Sequence, residues 1–190
     1  MTLSKFNPGG EGLRRQFPVD SGVTKILDYD RCYSITRYPT ENGKDLVWYT
    51  THMSAYSKEP ETANEQIRML IEDMAKEFDK GNYVICGADF NKQIVQNPEN
   101  YFPANLVKET KGFPFEMLQG TNISVVAPFD PAAPVGTCRY AGAPLSKDTQ
   151  VSNIDGFLVS SNIKVLESHV VNTNFAYSDH NPVFMSFRLL

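Results

Sequence analysis

Four polar groups stand where apolar runs begin or end. His52 closes the run Leu46-Val47-Trp48-Tyr49-Thr50-Thr51. Asp89 and Asn91 follow Tyr83-Val84-Ile85-Cys86-Gly87-Ala88, and Asp155 sits near the start of Ile154-Asp155-Gly156-Phe157-Leu158-Val159. Asp179 and His180 lie in the polar turn Tyr177-Ser178-Asp179-His180-Asn181-Pro182, just before a closing apolar run. Together these positions supply imidazoles, carboxylates and an amide, the equipment for metal-assisted attack of water on a phosphoester. A hard cation such as Mg²⁺ takes carboxylate oxygens and keeps several waters. It polarises a phosphoryl oxygen and steadies the leaving oxygen. A histidine fixed in one tautomer by a carboxylate can take up or give a proton. The amide of Asn91 can donate to a phosphate oxygen without adding charge. Each position also has a plain structural reading. Asp89 and Asn91 suit an Asx-type turn, Asp179-His180 a turn before proline, Asp155 a strand-start cap, and His52 a hydrogen-bonded surface residue. His169 has no motif around it and reads as structural.

The elements that must carry these residues are mostly strands. Leu13 to Val19 reads as a short edge strand broken at Pro18, and Val23 to Leu27 is apolar-leaning. Arg31 to Tyr38 alternates, turns through Asn42-Gly43, and returns over Asp45 to His52, a hairpin pattern. Thr62-Ala63-Asn64-Glu65 has the capping-box form. Ile67, Leu70, Ile71, Met74 and Phe78 then recur at helical spacing, with Glu72, Asp73, Lys76 and Glu77 elsewhere, and Gly81 is the stop. Tyr83 to Cys86 is a buried strand at whose end Gly87 and Ala88 let the backbone turn. Lys92 to Lys147 is loop-rich, with a short helix over Phe115 to Leu118 and a short strand over Ile123 to Val126. Strands over Asn153 to Ser160, Ile163 to Val171 and Val183 to Leu189 complete an α+β layered domain.

Composition bounds the function. The chain has 190 residues, enough for one domain with a sizeable core, and 41% apolar with 21% charged content is ordinary for a soluble protein. A net charge of −4 argues against binding nucleic acid by phosphate neutralisation alone, although a bound dication would change the local sign. Cys32, Cys86 and Cys138 are odd in number and lack metal spacing, and Cys86 reads as a buried thiol. No run is apolar enough for a membrane span, and Met1 to Gly12 lacks a signal-peptide core and reads as mobile. Cytoplasmic and secreted settings both stay open.

Gly87-Ala88-Asp89-Phe90-Asn91, Ile154-Asp155-Gly156-Phe157-Leu158-Val159 and Ser178-Asp179-His180-Asn181-Pro182-Val183 occur in the order of the last three motifs of the endonuclease/exonuclease/phosphatase (deoxyribonuclease I-like) family, which they resemble. Thr50-Thr51-His52-Met53 is similar to its histidine motif. The resemblance implies a single domain built as part of a four-layer αββα sandwich, and a Mg²⁺- or Mn²⁺-dependent phosphoesterase. Asp179 would contact the cation. His180 would be the base-type histidine oriented by Asp155, and Asp89 and Asn91 would position water and phosphate. His52 would face the phosphate as acid or donor, and Arg139, in Gly136-Thr137-Cys138-Arg139-Tyr140, lies in a loop that meets substrate. Substrates in the family span nucleic acid, phospholipid headgroups and small phosphate esters.

Ala88 replaces the usual glycine before the aspartate. The family's opening strands, with an asparagine and a metal-binding glutamate, find no match here. Glu11 and Glu41 do not follow an apolar strand. The expectation is therefore an N-terminally truncated form of the domain. The alternatives are a non-catalytic scaffold acting as a binding module, or two chains that complete each other.

Overall fold

The computed structural model describes residues 3–19, 29–55 and 60–190. The apolar-leaning stretch over Val23 to Leu27 lies outside the described residues. Among the described residues the strands, in chain order, are β1 (Leu13–Gln16), β2 (Cys32–Pro39), β3 (Asp45–His52), β4 (Tyr83–Asp89), β5 (Ile123–Val126), β6 (Cys138–Arg139), β7 (Val151–Ser152), β8 (Asp155–Ser160), β9 (Ile163–Val170) and β10 (Val183–Leu189), with an α-helix, α1 (Pro60–Asp79), between β3 and β4. The large sheet has six strands in the order β1-β2-β3-β4-β8-β5. Its pairs are antiparallel except β3 with β4, the pair that α1 connects as a crossover. β9 and β10 form a separate antiparallel ribbon.

The alternation of β3 decides how the layers stack. Val47 and Tyr49 face one way and join the cluster beneath α1, where Ile67, Leu70, Ile71 and Met74 are buried. Leu46 and Trp48 face the other way and meet the β9–β10 ribbon through Val165, Met185 and Phe187. β4 contributes to both layers, Val84 and Cys86 to the first and Tyr83 and Ile85 to the second, which is why its run is apolar without alternation. The result is an α+β sandwich of helix, large sheet and small sheet. Each of the four buried α1 side chains contributes about 1.5–3 kcal/mol by leaving water.

Several local expectations hold, and others shift for stated reasons. Gly81 does end the helix: its φ is 84°, and the Gly81 and Asn82 amides donate back to the Phe78 and Glu77 carbonyls, a Schellman closure. The helix begins at Pro60, so Thr62 lies inside it and is not the cap. β4 runs on through Gly87 and Ala88 to Asp89, because β3 and β8 pair with it on both sides to that point. Phe115–Leu118 is a single 3₁₀ turn.

The acidic side chains of α1 are more buried than the helical stripe alone suggests. Asp73 accepts from Arg15 at 2.8 Å and from the Tyr33 hydroxyl at 3.1 Å. Glu77 accepts from Arg37, Lys80 and Asn82. Burial alone would raise the Glu77 carboxyl, yet these three donors outweigh it and hold it at about 2. Both carboxylates thus tie the helix to the outer strands of the sheet. Among the described residues, no helix is long and apolar enough to cross a membrane.

Candidate active site

Strand register alone brings three of the sequence-selected residues together. β3 and β4 run parallel with His52 opposite Asp89, and β4 and β8 run antiparallel with Asp89 opposite Asp155. Three neighbouring strands therefore end in one polar row, His52–Asp89–Asp155, at one edge of the sheet. His52 Nε2 lies 3.2 Å from Asp89 Oδ2.

His180 arrives from the loop before β10. Its Nδ1 lies 2.9 Å from Asp155 Oδ2 and 3.1 Å from Oδ1, and its Nε2 lies 3.9 Å from Asp89 Oδ2. The loop is clamped from below. The Arg139 amide donates to the Asp179 carbonyl, and the Asn181 amide donates to the Thr137 carbonyl. Buried Asn181 accepts from Thr173 through Oδ1 and donates to the Gly136 carbonyl through Nδ2. Thr137 Oγ1 in turn accepts from the Ile154 and Asp155 amides at 2.9 and 3.1 Å. Asn181 and Thr137 are positioning residues. Their only sequence signal was a polar residue inside each quoted motif, which does not reveal what it will hold.

Asp89 and Asn91 form the Asx turn that their residue types suggest. Asn91 adopts a left-handed φ of 50°, and its amide donates to Asp89 Oδ1 at 2.9 Å, an Asx turn. The Asn91 side chain donates one N–H to the Met53 carbonyl at 2.8 Å, leaving its second N–H and its carbonyl oxygen. Gly156 follows Asp155 for a steric reason. A Cβ there would stand 2.9 Å from the Val126 carbonyl oxygen and 2.5 Å from Ile94 Cδ1.

Two sequence-selected residues sit apart from this cluster. The donor atoms of Asp89, Asp155 and His180 all lie within 4.8 Å of one another, whereas the Asp179 carboxylate is outside that group and faces the Ser178 hydroxyl. The Arg139 guanidinium folds back on its own loop, donating to the Tyr140 carbonyl, and its Nε is buried without a partner. His169, read from the sequence as structural, lies against Phe184 in the small sheet with ring centroids 4.9 Å apart.

The charge states follow from these contacts. Burial, and then the Asp155 charge, push the Asp89 carboxyl up. The hydrogen bond to Asp155, with Cys138 adding to it, pushes His180 up to about 11, so it is an imidazolium at neutral pH. Burial lowers His52, with Asp89 pulling the other way. The donor set suits a hard cation. Asp89 is raised by burial first and by the neighbouring Asp155 charge second, and a dication between the two carboxylates would offset both. A cavity of about 470 Å³ lined by Arg31, Cys32 and Thr50 takes in His52, and another of about 300 Å³ takes in Asn91.

No protein-family model and no curated protein matches the chain. Solved structures do. An endonuclease/exonuclease/phosphatase from Beutenbergia cavernae superposes over 98% of this chain with a TM-score of 0.65 at 20% identity, using 46% of its own length. The chain has the endonuclease/exonuclease/phosphatase fold. The human Nocturnin catalytic domain with bound sulfate shares this fold over 95% of the chain and 59% of its own, at 13% identity and a TM-score of 0.59. ANGEL2, a 2',3'-cyclic phosphatase in complex with adenosine-2',3'-vanadate, does so over 98% of the chain and 68% of its own, at 16% identity and a TM-score of 0.62. The chain spans about half the length of the first two. At these identities the likeness establishes the fold, and the chemistry must come from the site itself.

Proposed function

We propose that the chain hydrolyses phosphoesters with the help of a divalent cation, Mg²⁺ or Mn²⁺. The carrying observation is the row His52–Asp89–Asp155 closed by His180 on Asp155. Similar folds described as a 2',3'-cyclic phosphatase, or holding a sulfate, support the reading.

Asp89 and Asp155 are the residues that would hold the cation, with Asp179 as an outer contributor. A bound dication supplies charge for the phosphoryl oxygen and the leaving oxygen. The protein's own groups do the rest. Asp89 orients the attacking water and takes its proton through the carboxylate oxygen that the cation leaves free. His180 presents Nε2–H to a phosphoryl oxygen, with Asp155 fixing the ring through Nδ1. The Asp155 hydrogen bond, which favours the protonated ring in the metal-free chain, supports His180 as a donor; the resemblance implies a base, and the slope of the pH profile distinguishes the two. The free N–H of Asn91 steadies the phosphate, and His52 faces it from the β3 side as a second donor. Arg139 would meet substrate only by giving up its hydrogen bond to the Tyr140 carbonyl.

The test is release of para-nitrophenol from bis-para-nitrophenyl phosphate. Turnover in Mg²⁺ that disappears in a chelator is the expected result; equal rates in both contradict metal dependence. One observation favours a second reading, a binding module without turnover: among the described residues no glutamate joins Asp89, Asp155 and His180. That reading expects Mg²⁺ to leave the melting temperature unchanged and turnover to be absent.

A further inference from the structure

The 300 Å³ cavity beside Asn91 carries chemistry that the centre does not use. Asn91 is a shared wall: one side of it belongs to the Asp89 turn, the other to this cavity. Ala63, in the first turns of α1, forms another wall, so the positive end of the helix lies close by. The charged side chains lining the cavity among the described residues are Lys92, Lys108, Lys111 and Glu109, an excess of positive charge in a protein whose net charge is −4.

Lys92 is the telling residue. It is only 5% exposed and lines the cavity, and among the described residues no ion pair or hydrogen bond engages its ammonium. Burial and the charge of Lys111 both push its pKa down. The stem of Lys92 is buried and its ammonium reaches the cavity, where a charge that has given up most of its water and faces a second ammonium is costly without a counter-charge. An anion in the cavity removes both penalties at once. Lysines act as point charges toward phosphate, and a cavity of this size accommodates a phosphoryl group.

We propose that this cavity binds a phosphoryl group additional to the one at the Asp89–Asp155–His180 centre, so that the substrate carries two. The assignment to substrate rests on the phosphoesterase reading above; the anion binding does not. Lys92 and Lys111 grip the second group, and Asn91 stands between the two sites and sets their spacing.

Calorimetric titration of inorganic phosphate into the metal-free chain tests this, with His180→Ala as background to remove the centre. Binding is expected to survive His180→Ala, to weaken about tenfold in Lys111→Gln and Lys92→Gln, and to weaken with added salt. Lys111 is exposed, so its replacement keeps the test decisive if Lys92→Gln does not fold. No binding in the His180→Ala background, or binding indifferent to Lys111→Gln, overturns the proposal. A kinetic arm identifies the source. With a para-nitrophenyl phosphodiester bearing a second phosphate, Lys111→Gln raises KM about tenfold, while KM for bis-para-nitrophenyl phosphate stays put. If free phosphate instead changes the rate on bis-para-nitrophenyl phosphate through Lys111, the cavity binds phosphoryl groups but the substrate assignment is overturned. Lysine-dependent phosphate binding without any hydrolysis would remove the phosphoesterase reading and leave the cavity standing.

Discussion

Asp89→Asn lowers Mg²⁺-supported hydrolysis of bis-para-nitrophenyl phosphate by about a thousandfold while leaving the melting temperature unchanged or raised. The loss of rate follows from removing the proton acceptor and half of the carboxylate pair. The effect on stability follows from the same geometry. Folding pushes the Asp89 carboxyl up, so at neutral pH the native state holds a charge that it disfavours. The sign is that of a raised carboxylate: the unfolded chain sheds the proton more readily, and stability is lost as pH rises past the unfolded value. An amide of the same shape still accepts from the Asn91 amide and carries no such charge. A variant that melts earlier and is slow only in proportion to its unfolding contradicts the role given to Asp89, as does a rate within tenfold of wild type.

Asp155→Asn turns a flat alkaline profile into a falling one. In the wild type the Asp155 hydrogen bond keeps His180 protonated up to about 11, so the donor stays charged throughout the neutral and mildly alkaline range. Without the carboxylate, the imidazole returns toward its ordinary value of about 6.5, and the charged form is lost as pH rises through it. Between about pH 6.5 and about pH 8.5 the variant then loses about 100-fold that wild type does not, on top of a pH-independent loss from the missing cation ligand. The reverse slope, with the variant gaining rate as pH rises, would identify His180 as the proton acceptor. Identical profiles would separate Asp155 from the chemistry altogether.

Much of this arrangement is legible in the chain. Alternation marks β2 and β3, the Ile67–Met74 stripe marks α1, and the motif residues fall at strand ends as their neighbours imply. Periodicity does not reveal pairing. That His52, Asp89 and Asp155 form a row follows from a parallel β3–β4 register set by the α1 crossover and an antiparallel β4–β8 register set by distant loops. The extent of β4 was hidden for the same reason. Gly87 and Ala88 carry local turn preference, and pairing on both sides overrides it. The burial of Asp73 and Glu77 depends on Arg15, Tyr33 and Arg37, which lie far away in sequence. Lys92 gave no signal at all, since its isolation arises only once segment 108–111 folds over it. The separation of Asp179 from the Asp89–Asp155–His180 group likewise depends on how the loop before β10 is clamped by Thr137 and Asn181.

The chain contains three histidines, which makes the central claim directly measurable. Their ring C–H resonances can be followed by NMR as Mg²⁺ is added. If Asp89 and Asp155 form one cation-binding centre with His180 against it, the His180 and His52 signals move together and saturate, while His169, stacked on Phe184 in the small sheet, stays in place. A His180 signal that Mg²⁺ does not move, or three signals that drift alike, would contradict it.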